Sequence, residues 1–249
     1  MDKEFIKTEE QKIIEEINSI KWNSKESNPI SDGIINIDDY IKSEIKILWI
    51  NKEVNSTEED ADWNLREALY ELREDNRVSK GWANTFNPII YIIYGIFNKK
   101  NWAEIPDTWM EPEIIEYLRK IAYINVKKIP GGSTANWNEL VDFHNQFGYI
   151  LEKQIKLYKP DVIICGYTYE IVKETLSQIY ENDSSQKFEI DDHNRDNIFY
   201  YNNEALIIDA YHPNSRKNKE NYCNGIINGV LDWLENKRLT KKTEWKPSI

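Results

Sequence analysis

Two hydrophobic rhythms alternate along the chain. Residues 3–20 space Phe5, Ile6, Ile13, Ile14, Ile17 and Ile20 among charges at helical intervals, which predicts an amphipathic helix. Residues 23–33 gather Asn, Ser, Pro and Gly and read as a loop. The run Ile45-Lys46-Ile47-Leu48-Trp49-Ile50 has no helical period and reads as a strand that ends in Asn51-Lys52-Glu53-Val54-Asn55-Ser56. Helical spacing returns over 63–75, 84–98 and 113–120, with a turn-rich loop from Pro106 to Pro112. A second strand, Ile121 to Val126, runs out into Ile129-Pro130-Gly131-Gly132. A helix over 137–157 leads to a third strand, Asp161 to Gly166, and a helix over 168–180 follows it. The polar, aromatic stretch 187–204 suits a hairpin or an insertion. A fourth strand, Ala205 to Ala210, and a closing helix over 219–236 complete the pattern.

Strands separated by helices predict the α/β class. The expected architecture is a three-layer α/β/α sandwich around a central, mainly parallel four-stranded sheet. The chain divides into an N-terminal helix and lead-in (1–44), a core (45–237) with a possible insertion at 183–204, and a basic tail (238–249), all within one domain. In such sheets ligands bind beyond the carboxyl ends of the strands. The four predicted ends carry Glu53, Asn125, Gly166 and His212, so a parallel sheet would bring these positions to one rim.

Charge and cysteine content narrow the function. The formal net charge of −11 excludes a sequence-independent DNA coater, which would be basic, and restricts nucleic-acid contact to local surface. From Asn214 onward eight Lys and Arg outnumber four acidic residues. That excess fits either a local contact surface or a solvated helix face with a ragged end. Two cysteines without a CxxC spacing provide neither a disulfide framework nor a readable metal or iron–sulfur cage. A charged N-terminus and the absence of a membrane-length apolar stretch lead us to expect an intracellular, cytoplasmic protein with no cofactor, no metal and no membrane partner. No obligate protein partner is readable.

Glu53 suits a general base or a charge stabiliser, or is simply solvated. Asn125 interrupts an apolar run and either reads a ligand or satisfies loop backbone. His212, in Tyr-His-Pro, is either a proton or hydrogen-bond donor or a structural histidine. Their joint placement at three strand ends favours chemistry.

The segments Asn51-Lys52-Glu53-Val54-Asn55, Ala122-Tyr123-Ile124-Asn125-Val126-Lys127, Lys159-Pro160-Asp161-Val162-Ile163-Ile164-Cys165-Gly166 and His212-Pro213-Asn214-Ser215 together resemble the uracil-DNA glycosylase superfamily, over roughly 45–237. Their order, spacing and strand context carry the likeness. Asn51 stands where the family has glycine, Val54 where it has proline, and Glu53 where it has a shorter Asp or Asn. Arg216 occupies the position of the intercalating leucine.

The resemblance implies a DNA glycosylase that flips out a modified or damaged pyrimidine and hydrolyses its N-glycosidic bond. Glu53 would hold the attacking water and face the sugar cation, and His212 would donate to the leaving base. Asn125 would read the base edge. Phe86, or Trp82 beside it, would stack on the base or else belong to the core. Arg216, Lys217 and Ser133 would contact DNA, although a Gly131-Gly132 pair more often marks a plain turn. Asn55 stands where the narrowest uracil enzymes place a tyrosine against pyrimidine C5, so a C5 substituent could enter. The substrate is then either a uracil-type lesion in repair or a hypermodified cytosine, such as glucosylated hydroxymethylcytosine in phage DNA, in antiviral defence. Two other readings stay open: a non-catalytic module that binds a nucleotide or modified DNA, and a hydrolase of free nucleosides or nucleotides.

Overall fold

The computed structural model describes residues 2–22, 29–56, 63–74, 77–180, 189–191 and 197–243. In chain order it places helix α1 at Lys3–Asn18, strand β1 at Gly33–Ile34, α2 at Ile37–Lys42, β2 at Ile47–Asn51 and α3 at Leu65–Tyr70. A small hairpin, β3 (Arg73–Glu74) with β4 (Arg77–Val78), precedes α4 (Ala83–Asn98). Two 3-10 segments, Trp102–Glu104 and Pro112–Lys120, lead into β5 (Ala122–Asn125) and α5 (Trp137–Tyr158). Then come β6 (Val162–Gly166), α6 (Tyr169–Tyr180), β7 (Glu189–Asp191), β8 (Asn197–Tyr201), β9 (Leu206–Ala210) and α7 (Lys219–Thr243).

Strands β5, β2, β6 and β9 lie side by side in that order, and every pairing among them is parallel. They form the middle of a seven-stranded mixed sheet, β1-β5-β2-β6-β9-β8-β7, so the expectation of a four-stranded sheet is corrected. The additional strands join through antiparallel pairings. Their signal in the sequence is weak for physical reasons. Strand β1 has two residues. In β8 buried and more exposed positions alternate among polar and aromatic residues, without the solid apolar run of a strand buried on both faces.

Side chains of the parallel strands alternate between two cores. Trp49, Tyr123, Ile164 and Ile208 pack with Ile89 and Ile93 of α4 and Ile226 and Ile227 of α7. Leu48, Ile124, Ile163 and Ile207 pack with Leu151 and Ile155 of α5 and Val172 and Leu176 of α6. The sheet is therefore a middle layer with helices on both faces. Helix α1 adds a further cluster, with Ile13 and Ile17 packed with Phe143 and Ile150 of α5.

Three local expectations change. The helix foreseen over 63–75 is one short helix followed by the β3–β4 hairpin. Residues 113–120 wind as a 3-10 segment. The closing helix foreseen to end at 236 continues to Thr243. Residues 183–188 and 192–196 of the possible insertion, 23–28 of the first loop and 244–249 of the basic tail lie outside the described residues.

Candidate active site

The chain leaves β2, returns in β5 on one side, and then crosses to β6 on the other side of β2. The connections from β2 and from β5 therefore run over opposite faces, and the crevice of such a sheet opens where strand order reverses, at the carboxyl end of β2. Asn51, Lys52 and Glu53 occupy that end.

A row of residues crosses the rim on the face covered by α4 and α7. Asn125 is in register with Asn51, Gly166 with Ala210, and Ala210 with Asn197. Gly166 links the two halves, because a Cβ built there would lie 2.0 Å from Asn51 Oδ1. Only a residue without a side chain lets the Asn51 amide lie over β6. Asn197 reaches the rim because β8 is antiparallel and begins where the parallel strands end.

Hydrogen-bonding capacity in this row is unspent. Asn51 Nδ2 donates to Tyr123 Oη at 2.7 Å, but Asn51 Oδ1 has no partner. Asn125 Oδ1 has none although the residue is only 3% exposed. Asn197 is 2% exposed, and neither atom of its amide is bonded. Trp49 Nε1 and Ser215 Oγ are also buried and unpartnered. Each such group costs roughly 1–3 kcal/mol while it stays unmet, and ordered water or a polar ligand reaching the rim would supply the missing partners.

Asn125 is held by a buried ionic network. Its backbone N–H donates to Asp32 Oδ2 at 2.7 Å, and its carbonyl accepts from Lys128 Nζ at 2.8 Å. Lys128 Nζ also meets Asp32 Oδ1 at 2.7 Å and Gln154 Oε1 at 2.9 Å. Burial lowers the Lys128 pKa and the Asp32 carboxylate opposes that shift. A buried pair with every donor placed fixes geometry more than it adds stability.

Glu53 sits where the loops after β2 and β5 run together. Val126 N donates to Asn51 O, Lys127 N to Lys52 O and Gly131 N to Val54 O, at 2.8, 2.9 and 2.8 Å. The Glu53 side chain lies against Gly131, where an added Cβ would come within 2.6 Å of Oε1. Its Oε2 is buried without a hydrogen-bond partner. Burial raises the Glu53 pKa, Lys127 and Lys52 oppose that shift, and Glu139 adds to it. Lys127 itself is taken up by Glu139 at 2.8 Å.

His212 follows β9 in a tight turn. Its Nδ1 accepts the Asn214 backbone N–H at 3.1 Å, and its carbonyl accepts the Ser215 N–H at 2.8 Å. Lys219 Nζ donates to Ser215 O at 2.9 Å, and Tyr222 Oη donates to Tyr211 O at 2.8 Å, so α7 holds the turn from both sides. A neutral imidazole whose Nδ1 accepts must carry its proton on Nε2. Burial, with the Lys52 and Lys219 ammoniums beside it, lowers the His212 pKa to about 4. At neutral pH the ring is an uncharged Nε2–H donor.

The other expected residues are spread more widely. Phe86 is 4% exposed and packs between Trp82 and Tyr123, with ring centroids at 5.4 and 5.3 Å, so it belongs to the core. The run continues to half-buried Trp63, 5.8 Å from Trp82. Asn55 is exposed and bridges to Gly131, outside the buried row. Ser133 and Arg216 are exposed, and Lys217 Nζ lies 4.1 Å over the Tyr211 ring.

Asn51, Asn197, Asp32 and Lys52 were not anticipated as site residues. Asn51 had a readable signal, since it ends an apolar run just as Asn125 does. Among the described residues no cluster of three or more metal-ligating side chains occurs, and no helix is long and apolar enough to cross a membrane. No known protein-family model and no curated protein matches this chain.

Proposed function

We propose that this chain is a DNA glycosylase, a divergent member of the uracil-DNA glycosylase superfamily acting in the cytoplasm. It extrudes a pyrimidine nucleotide and hydrolyses the bond between sugar C1′ and base N1. The observation that carries the reading is His212, a neutral ring with its Nε2–H unspent, on the same rim as Glu53 and the free carboxamide oxygens of Asn51 and Asn125.

The base must leave the stack before its glycosidic bond is reachable. As the C1′–N1 bond stretches, positive charge builds on the sugar and negative charge on the base. His212 Nε2–H donates to pyrimidine O2 as that charge grows, and the Lys52 ammonium near the ring favours the same anion. A neutral imidazole is suited to this work, because it donates without first being charged in a buried site. Glu53, as carboxylate, faces the sugar cation and takes a proton from the water whose oxygen bonds to C1′. The departing base anion is later protonated by solvent. Asn125, fixed by Asp32 and Lys128, meets the base edge with its amide, and Asn51 offers a second carboxamide oxygen beside it.

Two substrates fit this chemistry: a uracil-type lesion, and a hypermodified cytosine such as glucosylated hydroxymethylcytosine. By the family likeness Asn55 takes the place of the ring that would close the C5 side, and it lies exposed outside the buried row. The test is abasic-site formation on duplex and single-stranded DNA carrying each base. Wild-type protein is expected to release one of them, and Glu53→Gln to lose about 10²–10⁴ in rate while still binding DNA. Equal inactivity of both proteins on every base, with binding retained, would identify a non-catalytic binding module of the same fold.

A further inference from the structure

Tyr167 and Trp137 have no part in the proposed chemistry. Tyr167 directly follows β6 and holds φ at +62°. An aromatic residue there is a conformational outlier, since the left-handed region suits glycine. The strain is over-determined: Tyr167 N–H donates to Ala210 O at 2.7 Å and to Cys165 O at 2.9 Å, which fixes the residue between β6 and β9. Yet the side chain is 50% exposed and adds little to the core. Its ring meets that of Trp137, the first residue of α5, edge to face at 5.9 Å, and Trp137 is itself 40% exposed. Lys52 Nζ lies 4.6 Å from the Tyr167 ring centroid. Lys52 is the neighbour of Glu53 and one of the two cations beside His212.

We propose that Tyr167, Trp137 and Lys52 form a stacking platform for an unpaired nucleobase next to the extruded one, with Lys52 facing the phosphate backbone. The identification of the flanking base rests on the glycosylase reading; the platform itself requires only a single-stranded segment. The ligand class follows from the chemistry. Flat rings beside a cation at the mouth of a rim are the elements with which proteins hold single strands without reading sequence. An acidic protein gains nucleic-acid affinity only where positive charge is local, and Lys52 and Lys219 provide it here.

The probe is oligothymidylate, followed by Trp fluorescence and anisotropy, together with the same strand carrying 2-aminopurine beside a tetrahydrofuran abasic analogue. Wild-type protein is expected to bind the strand and quench the 2-aminopurine. Tyr167→Ala should weaken binding by about tenfold or more, the scale of one lost stack, and abolish the quench, while Tyr167→Phe keeps both. Tyr167→Gly distinguishes this role from a structural one: it should raise thermal stability by relieving φ, and still bind as weakly as the alanine variant. Wild-type affinity in both the alanine and glycine variants would overturn the platform, as would absence of binding by the wild type. Base release that is unchanged by Tyr167→Ala, with unchanged binding, leaves the glycosylase reading standing and removes the platform. Lost strand binding in the variants of a protein that releases no base does the reverse.

Discussion

The backbone N–H of Asn214 donates to His212 Nδ1 at 3.1 Å, and this one bond settles which nitrogen of the ring is free. Proline between the two residues fixes the chain's exit from β9, and Lys219 and Tyr222 of α7 secure both ends of the turn. The ring enters the site as a donor at Nε2. Replacing His212 with Ala should reduce base release by about 10²–10³, the range for one lost donor at a developing anion, with little change in DNA affinity. Single-turnover kinetics would measure both.

The same ring makes stability depend on pH. Its folded pKa, about 4, lies below the ordinary 6.5, so the unfolded chain binds more protons between those values. The stabilisation from keeping it neutral is fully present above pH 6.5 and is lost as pH falls toward 4. Between pH 7 and pH 5 this one group should cost the folded state about 2 kcal/mol. Denaturant unfolding at the two pH values should show a smaller drop for His212→Gln than for wild type. An identical drop would mean the ring is not held neutral.

Catalysis should fail in acid for a different reason. Glu53 must be ionised, and burial raises its pKa above the ordinary 4.5, so it protonates before His212 as pH falls. The acid limb of the rate is expected above pH 4.5 and should be governed by Glu53. A limb near pH 4 would assign it to His212 instead.

Asp32 and Lys128 answer for the position of Asn125. Removing one partner strands a buried charge, so Asp32→Asn or Lys128→Met should each destabilise by about 3–5 kcal/mol. The double variant should recover much of that loss but not base release, because Asn125 loses its anchor. Thermal unfolding with a base-release assay on the three proteins checks both halves.

Much of the fold was legible, because strands buried on both faces write solid apolar runs. Ile47 to Ile50, Ala122 to Ile124, Val162 to Cys165 and Leu206 to Ile208 are such runs. The antiparallel additions were not, since β1 is too short to pattern and β8 mixes Asn197, Ile198 and Tyr200 across two faces. Glu53, Asn125 and His212 were legible as strand ends. Asn197 was hidden because its relevance depends on β8 running antiparallel, which places its first residue at the rim. Asp32 was hidden because its partner is 96 residues away. Phe86 stayed open between stacking and core because its helical position says nothing about which way the rim faces.

Gly166 marks how tightly the row is built. Gly166→Ala would set a methyl 2.0 Å from Asn51 Oδ1 and displace that amide from its bond to Tyr123. A loss of about 1–3 kcal/mol is expected, together with weaker substrate binding. Adding Asn51→Gly should relieve the clash but recover only part of the loss, because it leaves the buried Tyr123 hydroxyl without its bond. Thermal melts of the single and double variants decide this, and an undisturbed single variant would contradict the packing described.

The most direct measurement is release of free base from DNA containing uracil or glucosylated hydroxymethylcytosine, followed by strand scission at the resulting abasic site, with wild-type protein and Glu53→Gln side by side. Abasic sites are expected with the wild type on at least one of these DNAs and almost none with the variant, at similar DNA affinity. Abasic sites formed equally by both proteins, or by neither on any modified pyrimidine, would contradict the glycosylase reading.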